Sequence, residues 1–153
     1  MDKRHLKIKK LFLVIAVLWM AFIFCLSAQD VDQSTDLSLG VGKNVEKHLI
    51  SGYGSWSENQ QEIFTVSKDD VIRDAAHCFE YAVLGVLLML SFSRRIVAFV
   101  TGQLYSLTDE IHQIFVPGRA CQLTDMLIDG AGVLIGVFLV YFVSRSIRRC
   151  KIS

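Results

Sequence analysis

Proline is almost absent from this sequence: Pro117 is the only one in 153 residues, and no low-complexity tract or internal repeat divides the chain. One domain, residues 1–153, is the expectation at that length. The four cysteines, Cys25, Cys78, Cys121 and Cys150, form no CxxC pair. Neither a disulfide framework nor a zinc site is supported, and small buried hydrophobes or free thiols are the plainer reading. Nor does one sign of charge prevail. The formal net charge is +1, built from opposed clusters without the basic face that a nucleic-acid binder needs. What the chain has in quantity is hydrophobic residues, 52% of the total, and they fall in blocks.

The first block, Leu11 to Leu26, is an unbroken run of 16 apolar residues that Ser27 and Ala28 extend to 18. That is about the minimum that crosses ~30 Å of hydrocarbon. A signal peptide opens in the same way, after basic residues such as Lys7, Lys9 and Lys10, but cleavage after Ala28 would put Leu26 where a small residue is wanted. The run is therefore read as an uncleaved span, 11–28. Further spans are expected at 75–92, 96–116 and 126–143. The third would be doubtful alone, because it turns polar toward its end. Basic clusters lie at the N-terminus, at Arg94 and Arg95, and at Arg145, Arg148, Arg149 and Lys151. With four spans all three fall on one side, which the positive-inside bias makes the cytoplasm. The expected fold is all-α: an integral membrane four-helix bundle with both termini cytoplasmic, in a bacterial cytoplasmic membrane. A long extracytoplasmic loop, about 29–70, joins the first two spans. Val41 to Ile50 is a candidate short amphipathic helix within it, with a solvated loop the plainer reading, and Ser67 is expected to N-cap the helix that becomes the second span.

On this topology the polar residues gather at one depth, near the outer face. Arg73, His77, Glu80 and Tyr81 follow i, i+4, i+7, i+8 spacing and share one helix face. Tyr105, Asp109, His112 and Gln113 do the same, with Glu110 offset by about 100°. Asp125, Asp129, Gly132 and Gly136 share a third face, and the last two make a GxxxG pair that lets another helix approach closely. Ionisable groups in or near hydrocarbon cost several kcal/mol unless paired or hydrated, so such a set points to a functional cavity. The alternatives are groups cheaply hydrated at headgroup level, or a polar lock of Arg73 and Arg119 against Asp109, Asp125 or Asp129.

Four stretches carry a family resemblance: Phe24-Cys-Leu-Ser-Ala-Gln29, Arg73-Asp-Ala-Ala-His-Cys-Phe-Glu-Tyr-Ala-Val-Leu-Gly85, Tyr105-Ser-Leu-Thr-Asp-Glu-Ile-His-Gln-Ile-Phe-Val-Pro-Gly-Arg119 and Asp125-Met-Leu-Ile-Asp-Gly-Ala-Gly132. Together they resemble the VanZ-like family of bacterial membrane proteins. The resemblance covers nearly the whole chain outside the outer loop and the tails. It maps the family's basic residue, histidine and tyrosine to Arg73, His77 and Tyr81, its Asp-Glu and Gln to Asp109, Glu110 and Gln113, and its post-turn arginine and acid to Arg119 and Asp125. Asp129 stands where many relatives are expected to carry asparagine. The family takes its name from a protein linked to low-level resistance to teicoplanin, a lipid-tailed glycopeptide acting on cell-wall precursors. The resemblance thus implies a cell-envelope setting rather than a particular reaction.

Three functions follow as expectations. The first is a membrane protein that binds or modifies an amphiphile at the outer leaflet: a lipid-linked wall precursor, a phospholipid or a lipoglycopeptide. Arg73 and Arg119 would hold a phosphate or carboxylate, and Gln29, Tyr81, Tyr105, Gln113 and Asp129 would complete the ligand site. The second is an intramembrane hydrolase or transferase with His77, Asp109, Glu110 and Asp125 as catalytic candidates and His77 or Glu80 as general base. The same four side chains could be drawn as a metal set, but no ligand motif of known spacing is present, so no metal and no cofactor is expected. The third is a small transporter or flippase, disfavoured by the near absence of polar residues in the inner halves of the spans. Membrane lipids or a lipid-linked envelope precursor are the expected partners, nucleic acid is not, and a homo-oligomer is left open.

Overall fold

A computed structural model of the chain describes residues 3–150, the side chain of Val31 excepted; Lys151 lies outside the described residues. Six α-helices account for most of it: α1 (Lys3–Ser27), α2 (Val31–Leu49), α3 (Glu58–Ser67), α4 (Asp69–Phe92), α5 (Arg95–Gln113) and α6 (Leu123–Cys150), with a 3-10 turn at Tyr53–Ser55 and no strand among the described residues. α1, α4 and α6 are long and apolar enough to cross a membrane. α5 is not among them, so the expected third span does not stand on length and composition.

The reason lies in how the polar residues of α5 are placed. Its buried positions are Ala98, Gly102, Ser106, Asp109, Glu110 and Gln113. Val100, Leu104, Leu107 and Ile111, on its other faces, are exposed. The helix is polar within and apolar without. That arrangement lowers its average hydropathy while leaving a hydrocarbon surface outside.

The segment between α1 and α4 differs most from its expected form. In place of a solvated loop it holds α2, α3 and the 3-10 turn. Each helix has a sound local start. Asp30 accepts from the Gln33 amide to cap α2, and Ser57 and Gln60 form a reciprocal capping box on α3. The turns of α2 then present Ser38, Gly42 and Glu46 inward, all three buried. Ser38 donates to the Asp69 carboxylate, and Thr65 donates to Glu46 at 2.6 Å. The expected cap at Ser67 is overturned. Ser67 is the last residue of α3, and its hydroxyl donates back to the Phe64 carbonyl at 2.6 Å. The residue preceding α4 is Lys68, which supplies no side-chain cap.

α4 is the centre of the molecule, touching α1, α2, α3, α5 and α6. Its seam with α6 is the tightest. A Cβ on Gly132 would overlap the Cys78 carbonyl oxygen, and one on Gly136 the Ala82 carbonyl oxygen. The GxxxG pair therefore lies backbone to backbone against α4. Tyr81, Leu84, Leu88, Ala98, Val133 and Val137 fill the core beside it, with Ala16 and Ile23 from α1. The α4–α5 connection is only Ser93 and Arg94, and Ser93 closes α4 in the left-handed conformation (φ 57°). Such a short link makes α4 and α5 antiparallel neighbours.

Candidate functional site

Arg119 owes its position to a turn whose chemistry is plain in the sequence. Pro117 and Gly118 are the central residues of a turn closed by the Arg119 amide on the Val116 carbonyl at 3.1 Å. Gly118 has φ 76°, the conformation that the third residue of a Pro-Gly turn requires and that other residues adopt at a cost. Glu110, fully buried at the end of α5, accepts from the Gln122 amide at 2.8 Å and holds the far side of the same connection. The Arg119 Nε then donates to the Gln29 carbonyl at 3.1 Å, tying the turn to the end of α1.

Two cavities meet there. One, of about 340 Å³, lies between the end of α1, α2 and the start of α4. Its apolar wall comes from Phe22, Leu26, Leu37, Val41, Ile72 and Ala76, and Ser27, Gln29 and Glu80 also border it. The other, of about 630 Å³, lies between α4 and the α5–α6 connection. It is bordered by Asp74, Gln113, Gln122, Thr124 and Asp125. Arg73, His77 and Arg119 line both. Arg73 sits 3.8 Å from Asp69, the carboxylate that Ser38 also touches. No described carboxylate comes within ion-pair distance of Arg119. Burial, and after it the neighbouring charge of Arg73, lowers the Arg119 pKa from an arginine's ordinary value. Two guanidinium groups thus face a common space, one of them without a carboxylate at ion-pair distance.

Behind the cavities lies a buried polar layer. Asp109 accepts from the Ser27 hydroxyl at 2.7 Å and from the Tyr81 hydroxyl at 3.4 Å. Asp129 accepts from the Ser106 hydroxyl at 2.7 Å. Its other oxygen is 3.5 Å from His77 Nδ1, a distance that allows an ion pair but falls outside hydrogen-bond geometry. The protein leaves several of these buried atoms without a hydrogen-bond partner: Asp109 Oδ1, Glu110 Oε1, Gln113 Nε2, Asp129 Oδ1 and His77 Nδ1. An unsatisfied buried polar atom costs about 1–3 kcal/mol. Native interiors hold few of them, and a cluster is unusual for groups that serve packing alone.

The residues singled out in the sequence therefore divide in two. Gln29, Arg73, His77, Gln113, Arg119 and Asp125 border the cavities. Tyr81, Asp109, Glu110 and Asp129 lie behind them, fully or almost fully buried. Tyr105, half-buried, donates to the Met20 carbonyl and faces Tyr81 at 6.1 Å between ring centroids, joining α5 to α1 rather than lining either space. His77, Asp109, Glu110 and Asp125 are not gathered into a group that could hold a metal ion, and no such group occurs among the described residues. The arginine–aspartate lock takes another form: Arg73 faces Asp69, and neither arginine pairs with Asp109, Asp125 or Asp129. α2 begins well before the candidate helix at Val41 to Ile50, and the roles of Ser106 and Asp69 are not evident in the sequence alone. A signal for the first half of α2 was the i, i+4 series Ser34, Ser38, Gly42, Glu46 beside Leu37 and Val41, faint because one face is small and the other short.

No curated protein and no solved structure matches the chain. A family model, VanZ/LLP1, matches residues 12–144. That span runs from the apolar part of α1 into α6 and takes in both cavities and the buried carboxylates behind them. The chain belongs to the VanZ/LLP1 family, and its apolar helices make it a membrane protein of the VanZ-like envelope type.

Proposed function

We propose that this protein is a four-span envelope protein, with both termini in the cytoplasm of a bacterial cell, whose outward pocket binds or modifies an amphiphile. The observation that carries this reading is the junction of a mostly apolar cavity and a polar one at Arg73, His77 and Arg119. An amphiphile has the same division, with the boundary at its charged group. Mostly apolar pockets with a few convergent polar groups are the usual form of small-molecule sites. The apolar outer surface of α5 supports its place as a fourth span in lipid, and the basic clusters at the N-terminus, at Arg94 and Arg95, and at the end of α6 support the orientation. Teicoplanin-type resistance would follow if the amphiphile is the antibiotic or its lipid-linked target.

The pocket is tested with the full chain in phosphatidylcholine nanodiscs, offered a polyprenyl-linked wall precursor, a phospholipid and teicoplanin in turn. Saturable binding without product is expected for at least one. Absence of both binding and turnover for all three would overturn the reading. Orientation is tested separately: an impermeant thiol reagent on intact cells should reach Cys121 and spare Cys150, both of which are exposed in the fold. Labelling of Cys150 would reverse the topology.

A hydrolase or transferase acting on the same ligand is the second reading, and one contact favours it. His77 borders both cavities while its Nδ1 faces Asp129, itself held by Ser106. A histidine oriented by a buried carboxylate is a common form of general base. Turnover lost in both His77→Ala and Asp129→Asn, with binding retained, would select this reading over simple binding.

A further inference from the structure

We infer that the ligand is a single-chain amphiphile whose phosphate lies between Arg73 and Arg119, with its hydrocarbon chain under α2 and a hydroxyl-bearing head in the polar cavity. This rests on the amphiphile reading above and narrows it to one chemical class.

The chain is placed by the apolar cavity. Leu37 and Val41 of α2 close it from outside, Phe22 and Leu26 of α1 from one side, and Ile72 and Ala76 of α4 from the other. At about 340 Å³ it is at the bottom of the roughly 300–1,000 Å³ range of small-molecule pockets. That is a space suited to one hydrocarbon chain. α2 is not among the helices apolar enough to span a membrane. A chain held beneath it is drawn out of the bilayer into the protein.

The phosphate is placed by charge. Two arginines border the boundary between the cavities, and Arg119 has no carboxylate within ion-pair distance. Paired guanidinium groups fit phosphate oxygens through charge-assisted forks. Their mutual repulsion is relieved when an anion lies between them. Gln113, buried at the wall of the polar cavity, keeps its amide Nε2 without a partner, a further donor at the phosphate end.

The rest of the head is placed by size and lining. The polar cavity, about 630 Å³, is larger than a phosphate needs, and Asp74, Gln122, Thr124 and Asp125 offer it acceptors and donors. Acceptor-rich walls beyond a phosphate site suit hydroxyls, as on a glycerol or sugar substituent. They do not suit a second anion.

The experiment uses the full chain in phosphatidylcholine nanodiscs, because detergents are themselves single-chain amphiphiles. Binding of 1-oleoyl-lysophosphatidylglycerol is compared with that of diacyl phosphatidylglycerol, glycerol phosphate and inorganic phosphate. Saturable binding of the lyso-lipid is expected, at least tenfold tighter than its diacyl counterpart, with neither soluble phosphate competing at a hundredfold excess. Arg119→Gln and Arg73→Gln should each weaken it about tenfold, as loss of a charge-assisted contact does. Val41→Trp, a substitution at an exposed position that fills the apolar cavity, should weaken it with the melting temperature unchanged. Equal binding of the diacyl lipid, or indifference to Val41→Trp, would overturn the single-chain inference and leave the amphiphile reading standing. Indifference to both arginine variants would remove the phosphate. No saturable binding of these lipids, of a polyprenyl-linked precursor or of teicoplanin would bring down both proposals.

Discussion

Where α4 meets α6, two stretches of one helix pair follow opposite rules. From Cys78 to Val86, α4 lies against Gly132, Val133 and Gly136 so closely that an added methyl has no room. At His77 and Asp129, at the edge of that stretch, the same helices hold polar atoms in burial without giving them hydrogen-bond partners. The first stretch is complete in itself: each backbone surface is the mould of the other. The second is incomplete by the protein's own means, and it lies directly behind two cavities. A rigid seam can hold costly polar groups at fixed depth because it cannot slide to bury them better. Tight packing of this kind transmits position rather than absorbing strain.

That contrast can be broken most decisively at the seam. Gly136→Leu should cost about 3 kcal/mol or more, since overpacking at a backbone contact has no rotamer to escape into. Loss of folded protein in a thermal unfolding assay in detergent is the expected readout. Even Gly136→Ala should lower the melting temperature, although alanine is about 1 kcal/mol better than glycine in a free helix. An alanine variant that melts at or above the wild type would show that the seam has room for a methyl at Gly136. Next in size is Ser106→Ala. It leaves Asp129 Oδ2 without its donor and should cost about 1–3 kcal/mol by chemical unfolding. Indifference there would mean that the polar layer is already satisfied by other means.

Smaller effects sharpen the same contrast. Gly40 lies on the exposed side of α2, with nothing within 4 Å of an added Cβ. Gly40→Ala should therefore raise stability by about 0.5–1 kcal/mol, the opposite sign from Gly136→Ala. Arg119→Gln should be the mildest in stability, within about 0.5 kcal/mol, because the arginine donates to the Gln29 carbonyl through Nε alone. Its expected effect is on ligand binding. If differential scanning calorimetry instead placed its cost near that of Ser106→Ala, Arg119 would be a structural tie and the polar cavity would lose its main cation.

Much of this was legible because it is local. Long, mostly apolar stretches produce α1, α4 and α6, unbroken only in α1. The Pro117-Gly118 pair dictates its turn. The i, i+4 spacing of Asp109 with Gln113, and the i, i+3, i+7 spacing of Asp129 with Gly132 and Gly136, marked faces that the structure turns inward. α2 was harder to read. Its buried face is made of Ser38, Gly42 and Glu46, which carry no hydrophobic signal, and its apolar residues face a cavity rather than a core. The cap of α4 failed for a related reason. Ser67 and Asp70 have capping-box spacing, but α3 already uses Ser67 as its last residue, and a side chain has only one position to fill.

The sequence by itself determined the apolar helices, the turn that carries Arg119 and the helix faces on which the carboxylates lie. Each of these follows from residues within a few turns of one another, where steric and periodic rules suffice. The tertiary structure alone decided the partners: His77 and Ser106 for Asp129, Ser27 and Tyr81 for Asp109, Gln29 for Arg119. It also decided that α2 folds back to roof the apolar cavity. Those choices join residues up to 90 positions apart, and no local rule selects among the carboxylates and donors that share a helix face. Only the depth at which α4 and α6 lock together chooses between them.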